Sequence, residues 1–165
     1  MKFLIKKEYI FLVAFLSLFL SYYFGENSSG GAYKDFKSTK KFVDAFDNGF
    51  VYGLNWFLSF GQIHLPFFYL LKSFLRDFFS QLEIHIFYIF ISSMVPLVFY
   101  KILKKKYIKS DKYYLFLLSM IIFLSPYFRS SAIWFTNDNL ALLFFLTSLY
   151  YFLCFQTKNK NYLLY

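Results

Sequence analysis

Two stretches of this sequence bring together residue types that can do chemistry. The first is Gly25-Glu26-Asn27-Ser28-Ser29-Gly30-Gly31-Ala32-Tyr33-Lys34-Asp35, the most polar and glycine-rich run in an apolar chain. A carboxylate within reach of a hydroxyl can act as a general base. Asp35 follows a Gly-Gly pair, whose backbone turns closely. The second stretch is Ser125-Pro126-Tyr127-Phe128-Arg129-Ser130-Ser131-Ala132-Ile133-Trp134-Phe135-Thr136-Asn137-Asp138-Asn139. Its Arg129 can stabilise developing negative charge, and its Asp138, with amide oxygens nearby, suits Mg²⁺ or Mn²⁺. Each residue also has a plainer reading. Asp35 caps the helix that follows it, and Arg129 pairs with Asp138 to close a loop. His64 is either a hydrogen-bonded structural residue or a ligand, and His85 is an interfacial residue. No zinc motif, phosphate-binding glycine loop or nucleophile elbow occurs.

The elements that must position these residues are membrane elements. Of 165 residues, 59% are hydrophobic and 27% aromatic, and only 16% are charged, well beyond the apolar share of a soluble domain. The net charge of +9 does not point to nucleic acid, because of where the basic residues lie. Lys2, Lys6 and Lys7, then Lys101, Lys104, Lys105, Lys106, Lys109 and Lys112, then Lys158 and Lys160 flank hydrophobic runs. Cytoplasmic loops of membrane proteins are marked in this way. The middle cluster is also suited to anionic lipid head groups. The single Cys154 excludes an intrachain disulfide.

In order, the runs predict four spans, at about 9–24, 84–103, 113–128 and 139–155, within one transmembrane domain. The first run ends in Ser21-Tyr22-Tyr23-Phe24, without the small residues of a signal-peptide cleavage site, so it reads as an uncleaved helix with a cytoplasmic N-terminus. The large loop 25–83 carries six basic and six acidic residues (Lys34, Lys37, Lys40, Lys41, Lys72, Arg76 against Glu26, Asp35, Asp44, Asp47, Asp77, Glu83). It lacks the positive excess of the other loops and is expected outside. Within it, Phe36, Thr39, Val43, Phe46 and Phe50 recur at helical spacing, with Asn48-Gly49 as a stop. After Pro66, Lys72, Ser73, Arg76, Asp77, Ser80 and Gln81 form a polar stripe on an otherwise apolar helix. That helix either lies in the membrane interface or packs against the spans. Pro96 is a tolerated kink in the second span. Asn161–Tyr165 turns apolar again and reads as the start of a further span, so the chain is expected to be truncated. Both polar stretches are therefore expected on one, extracytoplasmic, side of the membrane, and the inner membrane is the expected location.

This arrangement resembles the membrane glycosyltransferases of the GT-C fold, family-39-like enzymes that use polyprenyl-phosphate-linked sugars. Gly30–Asp35 resembles the segment after the first span that carries the family's acidic residue. His64-Leu65-Pro66-Phe67-Phe68-Tyr69 resembles its H-x-P-x-x-Y run, although the family often has a doubled proline where this chain has Leu65-Pro66. Ser125–Asn139 resembles its outer loop between spans three and four. The resemblance covers the whole chain but only the N-terminal part of such an enzyme. It implies an all-α polytopic protein with membrane-parallel amphipathic helices in the outer loop. It also implies transfer of a sugar from a polyprenyl-phosphate carrier to a cell-surface glycan or lipid acceptor. Asp35 would be the catalytic base. Arg129, Asp138 and His64 would contact substrate, with Asp138 a metal ligand if a divalent ion takes part. Two other classes fit the composition: a small transporter or flippase component, and a non-catalytic four-span protein. Transporters place ionisable residues at mid-span, and the four expected spans are nearly free of them.

Overall fold

A computed structural model describes residues 6–27, 32–60 and 66–159. Every regular element among them is helical: α1 Lys7–Tyr23, α2 Ala32–Asp47, α3 Phe50–Ser59, α4 Phe67–Arg76, α5 Gln81–Lys106, α6 Lys112–Met120, a 3₁₀ turn Ile121–Leu124, α7 Pro126–Trp134 and α8 Asp138–Asn159. Helices α1, α5, α6 and α8 form a bundle, and α2, α3 and α4 form a layer over one end of it, joined to it through α7. His64 and the Gly30-Gly31 pair lie outside the described residues.

Two of these helices, Gln81–Lys106 and the Asp138–Gln156 part of α8, are long and apolar enough to cross a membrane. They correspond to the second and fourth expected spans. A 26-residue helix is about 39 Å long and the hydrocarbon core about 30 Å thick. Pro96 sits inside α5 without ending it. The expectation of four spans is not met as stated. The 17 residues of α1 reach only about 25 Å.

The run expected at 113–128 is not one helix either. It divides into α6 with its 3₁₀ turn and α7, bent by 66° at the break, and counts as a third span only if the pair is taken together. The cause is Ser125-Pro126. A residue before proline is pushed out of the α region, and Ser125 has φ −68° and ψ 120°. Its hydroxyl then accepts from the Phe128 N–H at 3.3 Å, capping a new helix with proline in the first turn. Much of the expected polar break at 129–139 is therefore helical.

Two apolar clusters hold the fold. One joins the bundle through Leu18, Ile89, Val95, Phe123, Ala132 and Ile133. The other joins the outer layer to the heads of α5 and α7 through Phe42, Val43, Phe57, Phe68, Tyr88 and Phe135. Helix α2 buries Thr39, Phe42, Val43 and Phe46, close to the periodicity expected, and stops at Gly49, whose φ is +114°. Gly53 of α3 lets that helix press onto Phe46, since a Cβ there would lie 2.3 Å from its ring.

Helix α4 packs on α2, so the polar stripe has partners. Ser73 donates to Asp47 at 2.6 Å, and Arg76 pairs with Asp44 at 2.6 Å and Asp47 at 3.2 Å. Many large apolar side chains on α1, α5 and α8 remain exposed, among them Val13, Leu20, Phe87, Met94, Phe144 and Phe152. Such continuous apolar flanks suit contact with lipid.

The bundle has distinct ends. Lys7 Nζ donates to the Lys112 carbonyl at 3.0 Å and to the Tyr100 hydroxyl at 3.2 Å, which places the start of α1 beside the basic 101–112 segment. The outer layer and both polar stretches lie at the other end. Reporter fusions after Tyr33 and after Asn137 are therefore expected to report the same side. Fusions near Lys106 should report the opposite, cytoplasmic side. A cytoplasmic signal from the Tyr33 fusion would contradict the orientation.

Candidate functional site

The tertiary structure brings Asp35 and Asp138, from opposite halves of the chain, to one cleft of about 370 Å³. Ser38, Thr39, Phe42, Tyr69, Tyr127, Thr136 and Asn137 complete its lining. Asp35 lies in the first turn of α2, where the positive end of the helix favours a negative charge. It is inside the helix rather than before it, so it is not the helix cap of the plainer reading. Its exposed position on α2 turns it toward the cleft, while Val43 and Phe46 face inward.

Asp138 opens α8 and is held from several directions. Thr136 Oγ1 donates to its carboxylate at 2.6 Å. The Ser131 hydroxyl, 2.6 Å from Thr136 Oγ1, must then be the donor to Thr136. Tyr88 donates to the Thr136 carbonyl and accepts from the Leu140 N–H. Asn139 donates to Ser92 at 3.2 Å and to the Phe128 carbonyl at 3.0 Å. The turn itself requires Phe135 at φ +52°, an uncommon conformation for a bulky residue. It is secured because the buried Phe135 ring packs on Tyr88 and Phe68, with centroids 4.3 and 5.2 Å away. One carboxylate is thus fixed and the other is open to solvent.

Tyr69 and Tyr127 were not singled out by residue type alone. Tyr69 ends the His64–Tyr69 run and Tyr127 follows Pro126, so both lay within motifs already noted. Burial, and secondarily the charge of Asp35, holds the Tyr69 phenol above its ordinary value, so it remains a hydrogen-bond donor. Tyr127 stands beside Asp138, whose carboxylate acts on its hydroxyl, and within the field of Asp35.

Arg129 does not line this cleft. It forms a clamp with α1, donating to Glu26 Oε2 at 2.9 Å, to Ser17 Oγ at 2.9 Å and to the Phe123 carbonyl at 3.3 Å, and also bonding Ser21. Trp134 Nε1 donates to the Glu26 carbonyl at 2.8 Å. The Arg129–Asp138 pair weighed from the sequence is replaced by Arg129–Glu26. The reason is local. Gly25, at φ +63°, ends α1 in a Schellman turn, with Gly25 N–H on the Tyr22 carbonyl and Glu26 N–H on that of Ser21. This folds Glu26 back against the helix and toward Arg129.

His85 is buried and bonds the Ile133 carbonyl through Nδ1 at 2.7 Å, a helix-to-helix tie rather than an interfacial side chain. Lys72, read as part of an exposed stripe, is 6% exposed. Its Nζ has no hydrogen-bond partner among the described residues and lies 4.6 and 4.5 Å from the ring centres of Phe36 and Phe135. Burial, with some help from Arg76, lowers its pKa to about 7.

The unfolded chain holds the Lys72 proton up to an ordinary lysine pKa and the folded chain loses it near 7, so folding gains stability as pH rises through that interval. The gain approaches about 1.4 kcal/mol per pH unit for a fully shielded group. Lys72→Met is expected to be more stable than the parent at pH 7 and to show a smaller rise between pH 7 and 10. Thermal unfolding in detergent measures both, and parallel curves for the two proteins would refute it.

The cleft presents oxygen donors: two carboxylates, the Asn137 amide and the hydroxyls of Ser38, Thr39 and Thr136. No cluster of three or more His, Cys, Asp or Glu occurs among the described residues. This donor set does not build a closed metal cage. It does fit a hard divalent cation held by one or two carboxylates and completed by water and substrate phosphate.

Comparison with known protein families, with curated proteins and with solved structures returns no match for this chain.

Proposed function

We propose that this chain belongs to a membrane glycosyltransferase of the GT-C type, with the Asp35–Asp138 cleft as its acceptor and donor-head site. The observation that carries the reading is the convergence of these two carboxylates in one polar cleft at the end of the bundle away from the basic loop. The donor is a polyprenyl-phosphate sugar and the acceptor a glycan or lipid on the extracytoplasmic face.

In this reading the acceptor hydroxyl attacks the anomeric carbon and gives its proton to Asp35. The new C–O bond forms as the bond from sugar to phosphate breaks. The polyprenyl phosphate leaves with the electron pair, through an oxocarbenium-like state of the kind seen in glycoside hydrolysis. Asp35 is suited to this because it is exposed at the cleft while α2 is anchored by its buried face. The Tyr69 phenol is placed to donate a hydrogen bond to a sugar or phosphate oxygen. Arg129 is committed to Glu26, so its part is to hold α1 to α7. A divalent cation, Mg²⁺ or Mn²⁺, would supply positive charge for the leaving phosphate, and Asp138 with Asn137 would hold it.

The test is transfer by the full-length protein in membranes, offered a panel of labelled polyprenyl-phosphate sugars. Donor-dependent label in a glycan or lipid fraction supports the reading. Folded, inserted protein that transfers from none of them defeats it.

A further inference from the structure

A second cavity is lined from the same two helices, α2 and α4, as the acidic cleft, but by Phe36, Lys40 and Val43 of α2 instead of Asp35, Ser38, Thr39 and Phe42. It has a volume of about 330 Å³, and Lys40, Lys72, Arg76 and His85 line it together with Phe36 and Phe135. No carboxylate lines it among the described residues. Of the acids on α2, Asp44 and Asp47 are engaged by Arg76 and Ser73. Lys40 is exposed at the cavity, and Lys72 is buried there with no hydrogen-bond partner among the described residues. A buried ammonium without an acceptor is costly, and two aromatic faces compensate it only in part.

This cavity shares Phe79 and Ile84 with an apolar groove of about 370 Å³ whose other walls include Leu75, Ile86, Phe87 and Phe90. The groove follows α5, one of the two helices long and apolar enough to cross a membrane. Phe87 and Phe90 are half exposed on its flank. Glu83 borders the groove, but its carboxylate is turned to Ser80, accepting at 2.8 Å from both the N–H and the hydroxyl. A cationic pocket and an apolar groove thus share a wall at the head of a helix long and apolar enough to cross a membrane.

We propose that this joined cavity and groove seats one anionic phospholipid of the bilayer, its phosphate on Lys72 and Lys40 and one chain along Phe79, Ile84 and Phe87. The phosphate supplies the acceptor that Lys72 lacks, as a charge-assisted bond, and restores the charge that burial disfavours. Arg76 stays with its two aspartates and braces α4 against α2. The lipid closes the space between the outer layer and α5. The inference depends on the membrane reading of α5 and not on the sugar-transfer reading.

The test uses the full chain in nanodiscs of phosphatidylcholine containing a minority of phosphatidylglycerol, with retained lipid read by native mass spectrometry. One phosphatidylglycerol is expected to be kept over phosphatidylcholine by about tenfold, a scale of one or two basic contacts. Lys72→Met should remove that preference. Lys6→Met, at the opposite end of the bundle, should leave it intact. In the unaltered protein, phosphatidylglycerol should also protect Lys72 from an amine-acylating reagent where phosphatidylcholine does not, a reading that requires no variant. A retained preference in Lys72→Met, equal loss in Lys6→Met, or no protection of Lys72 would overturn the proposal. Inorganic phosphate protecting Lys72 as well as the lipid would also overturn it, because the groove would then contribute nothing.

Discussion

Asp35→Asn is expected to lower sugar transfer by about a hundredfold or more, the scale of losing general-base catalysis, while the protein still folds and inserts. The amide keeps the shape of the carboxylate but cannot take the acceptor's proton. The fold should tolerate the change because Asp35 is exposed and no hydrogen bond ties its carboxylate to another described residue. Losing a negative charge from the first turn of α2 costs only about 0.3–1 kcal/mol. Asp138→Asn is a different case, since it disturbs the chain from Ser131 through Thr136; some of its loss would come from a loosened turn. The measurement is transfer per folded molecule, with a polyprenyl-phosphate sugar that the parent uses. Parent-like rates from Asp35→Asn would remove Asp35 from the mechanism and leave it a surface residue of α2.

Arg129→Ala is expected to act in the opposite way, lowering stability by about 2–3 kcal/mol with little change in transfer per folded molecule. Breaking a fully buried pair costs about 3–5 kcal/mol because the remaining charge is stranded. Here the two side chains are 20% and 23% exposed, which tempers the loss. Glu26 would be left without its guanidinium, and Ser17, Ser21 and the Phe123 carbonyl would lose a donor they share. Replacing Glu26 and Arg129 together by Gln and Leu should recover part of the loss, since no charge is then stranded. Denaturation in mixed micelles measures stability, and the same samples give activity. A large drop in turnover with unchanged stability would instead place Arg129 at the substrate.

These two outcomes separate residues that looked alike in the sequence. Asp35, Arg129 and Asp138 are all ionisable residues in polar runs beside hydrophobic ones. Their difference is geometric. Asp35 and Asp138 share a cleft, whereas Arg129 is consumed by Glu26. Glu26 had one local sign, its position directly after Gly25 at the end of an apolar run. Lys72 had none, because helical spacing placed it in a stripe with Ser73 and Arg76, and only the docking of α2 and Phe135 buries it.

What the sequence determined by itself is whatever depends on local composition and period. Runs of apolar residues specify α1, α5 and α8, since an apolar helix satisfies its own backbone in lipid. The split of basic residues predicts that the start of α1 and the 101–112 segment share an end of the bundle, and Lys7 does sit with Lys112. The spacing of Phe36, Thr39, Val43 and Phe46 specifies α2 and its buried face, and Asn48-Gly49 its stop. The tertiary structure alone decided the rest. The bend after α6 needs Ser125 capping a helix that begins at Pro126, and hydrophobicity is blind to that choice. Which acid meets Arg129, and which two acids meet each other, depends on contacts between distant segments. Spacing along a chain carries the period of a helix but not its neighbours, so the cleft, the clamp and the buried lysine exist only once α2, α4 and α7 have closed over the head of α5.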